Sequence, residues 1–190
     1  MSPHQLTVAP PRPPTPAGEA LGRQRALDLR VLEQVRITAW DRLLFVECGD
    51  GWLVEEAWRR LGKGCAWGLS TSPQLIDLAV RLRSVPGRVE FKRWDGERFP
   101  VASQSFDRVI SCVPAGCYPE PLAVLREMAR VLRPDGDAYL LESDGAAPEA
   151  PQALGTTDVE RLLVEAGFGE VQRQRTTPVV IHARRCSPGT

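Results

Sequence analysis

The side chains able to do chemistry cluster at the ends of short apolar runs. Glu47 closes Leu43–Val46 and is followed by Gly49 and Gly51. Ser70 and Thr71 follow Cys65–Leu69, Asp95 and Gly96 follow Val89–Arg93, and Cys112 ends a run from Phe106. Carboxylates and hydroxyls so placed can accept hydrogen bonds from a bound ligand, and glycine lets the backbone approach it closely. The pattern does not suit a metal. Cys112 and Cys117 are too far apart for a zinc knuckle, and the two histidines, His4 and His182, lie elsewhere. Nor does the loop Val113–Glu120 carry a His or Asp to serve as a base. Catalytic residues therefore stay unassigned. Tyr118, Glu120 and Cys117 could touch a substrate, with loop packing as the plainer reading of each.

The elements that must position these residues follow from periodicity. Leu43–Val46 reads as a strand buried on both faces. The pattern then turns helical, with Leu53, Val54, Ala57, Trp58 and Leu61 on one face. A strand, an acid, a glycine turn and a helix make half of a nucleotide-binding βαβ unit; an ordinary βα turn is the bland alternative. Cys65–Leu69, Val89–Arg93, Phe106–Cys112 and Ala138–Leu141 are further strands. Ser72-Pro73 starts one helix, as N-cap and first helical residue. Leu122–Leu132 is another, closed by a turn at Arg133-Pro134-Asp135-Gly136, and Thr157 with Glu160 forms a capping box for a third. Val171–Thr176 and Val179–Ala183, linked by Thr177-Pro178, predict an antiparallel hairpin. The sum is an α/β fold: a three-layer sandwich around a Rossmann-like seven-stranded sheet, ordered 3-2-1-4-5-7-6, with a C-terminal antiparallel hairpin. Ligands bind such sheets beyond the carboxyl ends of the strands, where Glu47, Ser70, Asp95 and Cys112 fall.

Composition narrows the classes of function. Formal charge is +0, which gives no electrostatic footprint for nucleic acid or an anionic membrane. No apolar run reaches the ~20 residues that span a bilayer, and the N-terminus lacks the order of a signal peptide. Five scattered cysteines read as free thiols, fitting a reducing, cytoplasmic setting. Residues 1–20 are a Pro-rich tail, polyproline-like or mobile. Residues 21–190 form the domain.

Four blocks together carry a resemblance: Val46-Glu-Cys-Gly-Asp-Gly51, Asp95-Gly-Glu-Arg-Phe-Pro-Val101, Ser105-Phe-Asp-Arg-Val109 and Leu125-Arg-Glu-Met-Ala-Arg-Val-Leu-Arg-Pro-Asp-Gly136. Over residues 25–185 the chain resembles a class I S-adenosylmethionine-dependent methyltransferase of the small-molecule type. That resemblance implies S-adenosylmethionine as cofactor and a small-molecule acceptor. It implies a cofactor site of Glu47, Gly49, Asp50, Gly51, Ser70, Thr71, Asp95, Gly96 and Cys112. In it Glu47 faces the ammonium, Asp95 accepts from the adenine amino group, and the Gly96 N–H donates to the ring. Phe99 and Pro100 are loop packing. Three positions depart from the family pattern. Leu53 stands at the third glycine, Asp135 replaces a glycine, and Ser70 replaces the acid that binds both ribose hydroxyls. Restoring that acid, Ser70→Asp, is expected to tighten cofactor binding, subject to repulsion from Glu47. The departures also keep open a degenerate, non-catalytic domain that acts as a binding module.

Overall fold

The structure, a computed structural model, describes residues 16–142, 154–174, 176 and 179–186. The residues of the tail before Pro16, the Thr177-Pro178 link and most of Ser143–Thr156 lie outside these. The order of elements is α1 (Pro16–Gln34), β1 (Arg42–Val46), α2 (Trp52–Arg59), β2 (Cys65–Ser70), α3 (Pro73–Arg83), β3 (Val89–Arg93), β4 (Phe106–Ser111), a short 3-10 turn (Ala115–Cys117), α4 (Pro121–Val131), β5 (Leu132–Glu142), α5 (Thr156–Glu165), β6 (Phe168–Gln174) and β7 (Val179–Arg185). They build a seven-stranded sheet of order β3-β2-β1-β4-β5-β7-β6. β1 to β5 run parallel, and β7 is antiparallel to both β5 and β6. This is the α/β sandwich with a C-terminal antiparallel pair that the alternating pattern predicts.

β1 shows why the first run is uniformly apolar. Leu43 and Phe45 enter the core beneath α1, α2 and α3, while Leu44 and Val46 enter the core beneath α4 and α5. All four are fully buried. A strand covered on both faces has no solvent face on which to place polar residues.

Several boundaries differ from the sequence reading: β6 is Phe168–Gln174, beginning right after α5, where the sequence predicts Val171–Thr176, and three further differences bear on the fold. α1 begins at Pro16, inside the expected tail, as proline at a first helical position allows. β5 begins at Leu132, so Arg133-Pro134-Asp135-Gly136 is an irregularity within a strand and not a turn before it. Asp135 adopts φ 60 there, and the pairing with β4 shifts register between Phe106 and Arg108. The N-cap of α5 is Gly155, whose N–H donates to Asp158 Oδ2 at 3.1 Å, in place of a Thr157–Glu160 box. Ser72 caps α3 as expected, accepting from the Leu75 N–H.

Candidate functional site

The ends of β1, β2, β3 and β4 are tied together by the backbone. Cys48 donates to the Leu69 carbonyl, Trp94 to Ser70, and Cys112 to Val46. Between β1 and α2 the chain turns through three left-handed residues, Glu47 (φ 54), Gly49 (φ 57) and Gly51 (φ 77). The two glycines have different duties. A Cβ on Gly49 would meet nothing within 4 Å, and Gly49 faces a cavity. A Cβ on Gly51 would lie 2.5 Å from the Phe91 ring and 3.0 Å from Ala79. Gly51 therefore serves helix start and packing against β3, and it lines neither cavity described below.

Glu47 is the least expected part of this turn. A left-handed conformation costs a non-glycine residue about 1–2 kcal/mol, and three hydrogen bonds to its carboxylate oppose that cost. Oε1 accepts from the Thr71 N–H (3.1 Å) and from the Trp94 indole N–H (2.8 Å); Oε2 accepts from the Ser70 hydroxyl (2.9 Å). The carboxylate of the residue that follows β1 is thus held over the end of β2. Ser70 itself is fully buried and also accepts from the Ser72 N–H.

Two cavities open here. The smaller, ≈ 210 Å³, lies between α1 and the glycine turn, bordered by Arg25, Asp28, Gly49, Asp50, Leu53 and Cys112. The larger, ≈ 410 Å³, is bordered by Thr71, Trp94, Asp95, Gly96, Cys117 and Tyr118, and is of ligand-cleft size. Glu47 borders both. Of the nine expected site residues, Gly51 and Ser70 stand behind the wall. Glu120 is exposed at the start of α4 and borders neither cavity.

Each polar wall residue has a defined setting. Asp50 is pinned from α3, since Arg83 reaches both its carbonyl (2.9 Å) and its Oδ2 (3.1 Å) while also gripping Glu55. Asp95 Oδ1 accepts from the Arg98 and Glu97 N–H groups, which holds its carboxyl below the usual range. Burial raises Asp28, with Asp50 adding to it against the Gln24 bond. Burial also pushes the Cys48 thiol up to about 12 and Cys112 well above its ordinary value, so neither is a ready nucleophile. Tyr118 is raised by burial although its hydroxyl is bonded to Ser111 at 2.7 Å.

Sequence reading missed Arg25, Asp28 and Trp94. Arg25 lies 5.1 Å from the Trp52 ring centroid and 3.7 Å from Asp50, and its buried Nε finds no partner among the described residues. Polar residues at spacing i, i+3 on α1 were the available signal. Trp94 is 4% exposed, packs edge-on against Phe99 at 4.9 Å, and was signalled only by its place before Asp95.

A Rossmann-like sheet with a divided cleft at the carboxyl ends of its parallel strands defines a nucleotide-cofactor-binding class of protein. Comparison with known proteins sharpens this. Residues 44–136 match the methyltransferase domain family. The chain is 37% identical over 107 residues to a phthiotriol/phenolphthiotriol dimycocerosates methyltransferase of Mycobacterium leprae, covering 56% of this chain and 39% of that protein. It is 30% identical over 128 residues to a demethylmenaquinone methyltransferase of Lactobacillus johnsonii, covering 65% and 52%. In three dimensions it is similar to an S-adenosylmethionine-dependent methyltransferase from Mesorhizobium loti, with TM-score 0.70, 15% identity, and coverage of 84% and 98%. At that identity the structural likeness speaks for fold alone. The chain spans about half or less of the length of these two curated relatives. Residues 44–136 are thus similar to the methyltransferase domain family, and that family and the shared fold imply S-adenosylmethionine as the cofactor.

The residues present fit that group. Gly49 is open to the smaller cavity where a side chain would intrude, and that cavity offers a cation, Arg25, beside the acids Asp28 and Asp50. An amino-acid zwitterion needs both signs. No helix among the described residues is long and apolar enough to cross a membrane.

Proposed function

We propose that the protein transfers a methyl group from S-adenosylmethionine to a small-molecule acceptor. One observation carries the reading: the two cavities share Glu47 at the carboxyl ends of the parallel strands, so one elongated ligand can run through both. Arg25 and Asp28 hold the amino-acid end, beside the open backbone of Gly49. Asp95 and Gly96 hold the base. Once bound, the cofactor supplies an electrophilic methyl on a sulfonium. The chain's contribution beyond binding is orientation and water exclusion by Val113, Cys117 and Tyr118 on the acceptor side. The relatives named above act on phthiotriol dimycocerosates and on demethylmenaquinone. Compounds of these two kinds are therefore the first acceptors to try. The free thiols fit a cytoplasmic setting, and neutral charge fits no nucleic-acid partner.

A second reading, a non-catalytic binding module of the same fold, is favoured by Ser70. Its hydroxyl is buried and spent on Glu47, so the end of β2 offers a ligand no charge of its own. Titration calorimetry with S-adenosylmethionine and S-adenosylhomocysteine tests the first reading, followed by detection of S-adenosylhomocysteine formed in the presence of acceptors. Binding of both is expected. A folded protein that binds neither refutes it, and binding without turnover on any acceptor favours the module.

A further inference from the structure

A carboxylate is held at the end of β2 although β2 contributes none. Glu47 reaches it from β1 in a left-handed conformation, and three donors fix it there: the Ser70 hydroxyl, the Thr71 N–H and the Trp94 indole. A carboxylate has about four acceptor directions. Both on Oε1 are taken, by Thr71 and Trp94, and one on Oε2 is taken by Ser70. The last direction on Oε2 is left to Glu47, which among the described residues is the one that borders both cavities.

Under the function proposed above, on which this step rests, the ligand runs from the Arg25–Asp28 end to the Asp95–Gly96 end. Between an amino-acid end and an adenine end lies the ribose. Ser70 is fully buried and the Thr71 N–H is committed, so Glu47 is the carboxylate beside that ribose. We propose that Glu47 accepts a hydrogen bond from one of the two ribose hydroxyls and not from both. Trp94 and Ser70 are positioning residues that turn its carboxylate toward β2. With three of four directions spent inside the protein, the site reads a single hydroxyl.

Calorimetry on the whole chain with S-adenosylhomocysteine and its 2′-deoxy and 3′-deoxy analogues tests this. One analogue should bind about tenfold or more weaker than the parent, and the other within about threefold, as for one lost charge-assisted bond. In Glu47→Gln the gap between the analogues should close to about threefold or less. Trp94→Phe keeps the ring packed on Phe99 and removes the N–H, so it should narrow the gap without abolishing binding. Circular dichroism checks that each variant is folded; if Glu47→Gln is not, Trp94→Phe and the wild-type comparison decide. Equal loss with both analogues, loss with neither, or an unchanged gap in the folded variants overturns the assignment and leaves methyl transfer standing. Wild-type protein that does not bind S-adenosylhomocysteine at all overturns both.

Discussion

Placing an acid at the end of β2, by Ser70→Asp, is the substitution for which sequence and structure give opposite expectations. From sequence it restores a missing acceptor and tightens cofactor binding. In the structure the Ser70 hydroxyl is fully buried and 2.9 Å from Glu47 Oε2, to which it donates. An aspartate there removes that bond, worth about 1 kcal/mol, and sets like charges about 4 Å apart. At an effective dielectric near 20 such a pair repels by about 4 kcal/mol. Protonation of the new carboxyl relieves part of this, so a net loss of about 2–4 kcal/mol is expected. For a domain of this size that lowers Tm by roughly 5–15 °C. Burial and Glu47 both raise the folded pKa of the new acid above its unfolded value near 3.9. An acid raised in the folded state favours folding only while it is protonated. The deficit should therefore be small near pH 4 and grow as pH rises through the folded pKa. Thermal unfolding of wild type, Ser70→Asp and Ser70→Ala at pH 4.5 and pH 8 reads this directly, with Ser70→Ala isolating the lost hydroxyl. An aspartate variant as stable as wild type at pH 8, or one that binds S-adenosylhomocysteine more tightly, refutes the argument.

Three other outcomes follow from the same geometry. Gly51→Ala should cost about 2–5 kcal/mol, from left-handed strain plus collision with Phe91, whereas Gly49→Ala should cost only about 1–2 kcal/mol but still weaken S-adenosylhomocysteine binding; urea unfolding and calorimetry on both variants separate the two duties. Asp95→Ala should weaken S-adenosylhomocysteine binding about tenfold, and unchanged affinity by calorimetry would confine Asp95 to its turn with Glu97 and Arg98. Glu142 is buried and raised by that burial although it accepts from the Ala115 N–H, so its charged form weakens the fold above its unfolded pKa. Glu142→Gln keeps an acceptor for Ala115 and should be more stable than wild type at pH 8, with the difference vanishing near pH 4; denaturant midpoints at the two pH values check the sign.

The alternation of β and α periods was enough to order the sheet and to orient β7, because buried parallel strands and amphipathic helices leave unmistakable patterns. It also put Glu47, Asp95 and Gly96 beside a cleft, since strand ends converge there. Boundaries slipped where one residue's backbone departs from the regular pattern. Asp135 at φ 60 lets β5 absorb a stretch that reads as a turn. Gly51 looks like a ligand glycine because sequence does not announce that Phe91, forty residues on, fills the space of its missing side chain. Arg25 escaped notice because a helix face turned to a cavity looks, in sequence, like one turned to water.

The departure at Ser70 has the same physical root. A side chain's site need not be the strand that bears it, and Glu47 is long enough, once its φ is positive, to cross from β1 to the end of β2. Only a residue there that donates can receive it. Ser70 donates a hydroxyl, Thr71 an amide and Trp94 an indole N–H. An aspartate at position 70 could only accept, and would expel Glu47 instead of binding it. Ser70 and Trp94 thus form one arrangement with Glu47, in which donors gathered around a single anion exclude a second. Read one position at a time, Ser70 is a lost acid; read through its hydrogen bonds, it holds in place an acid supplied by the neighbouring strand.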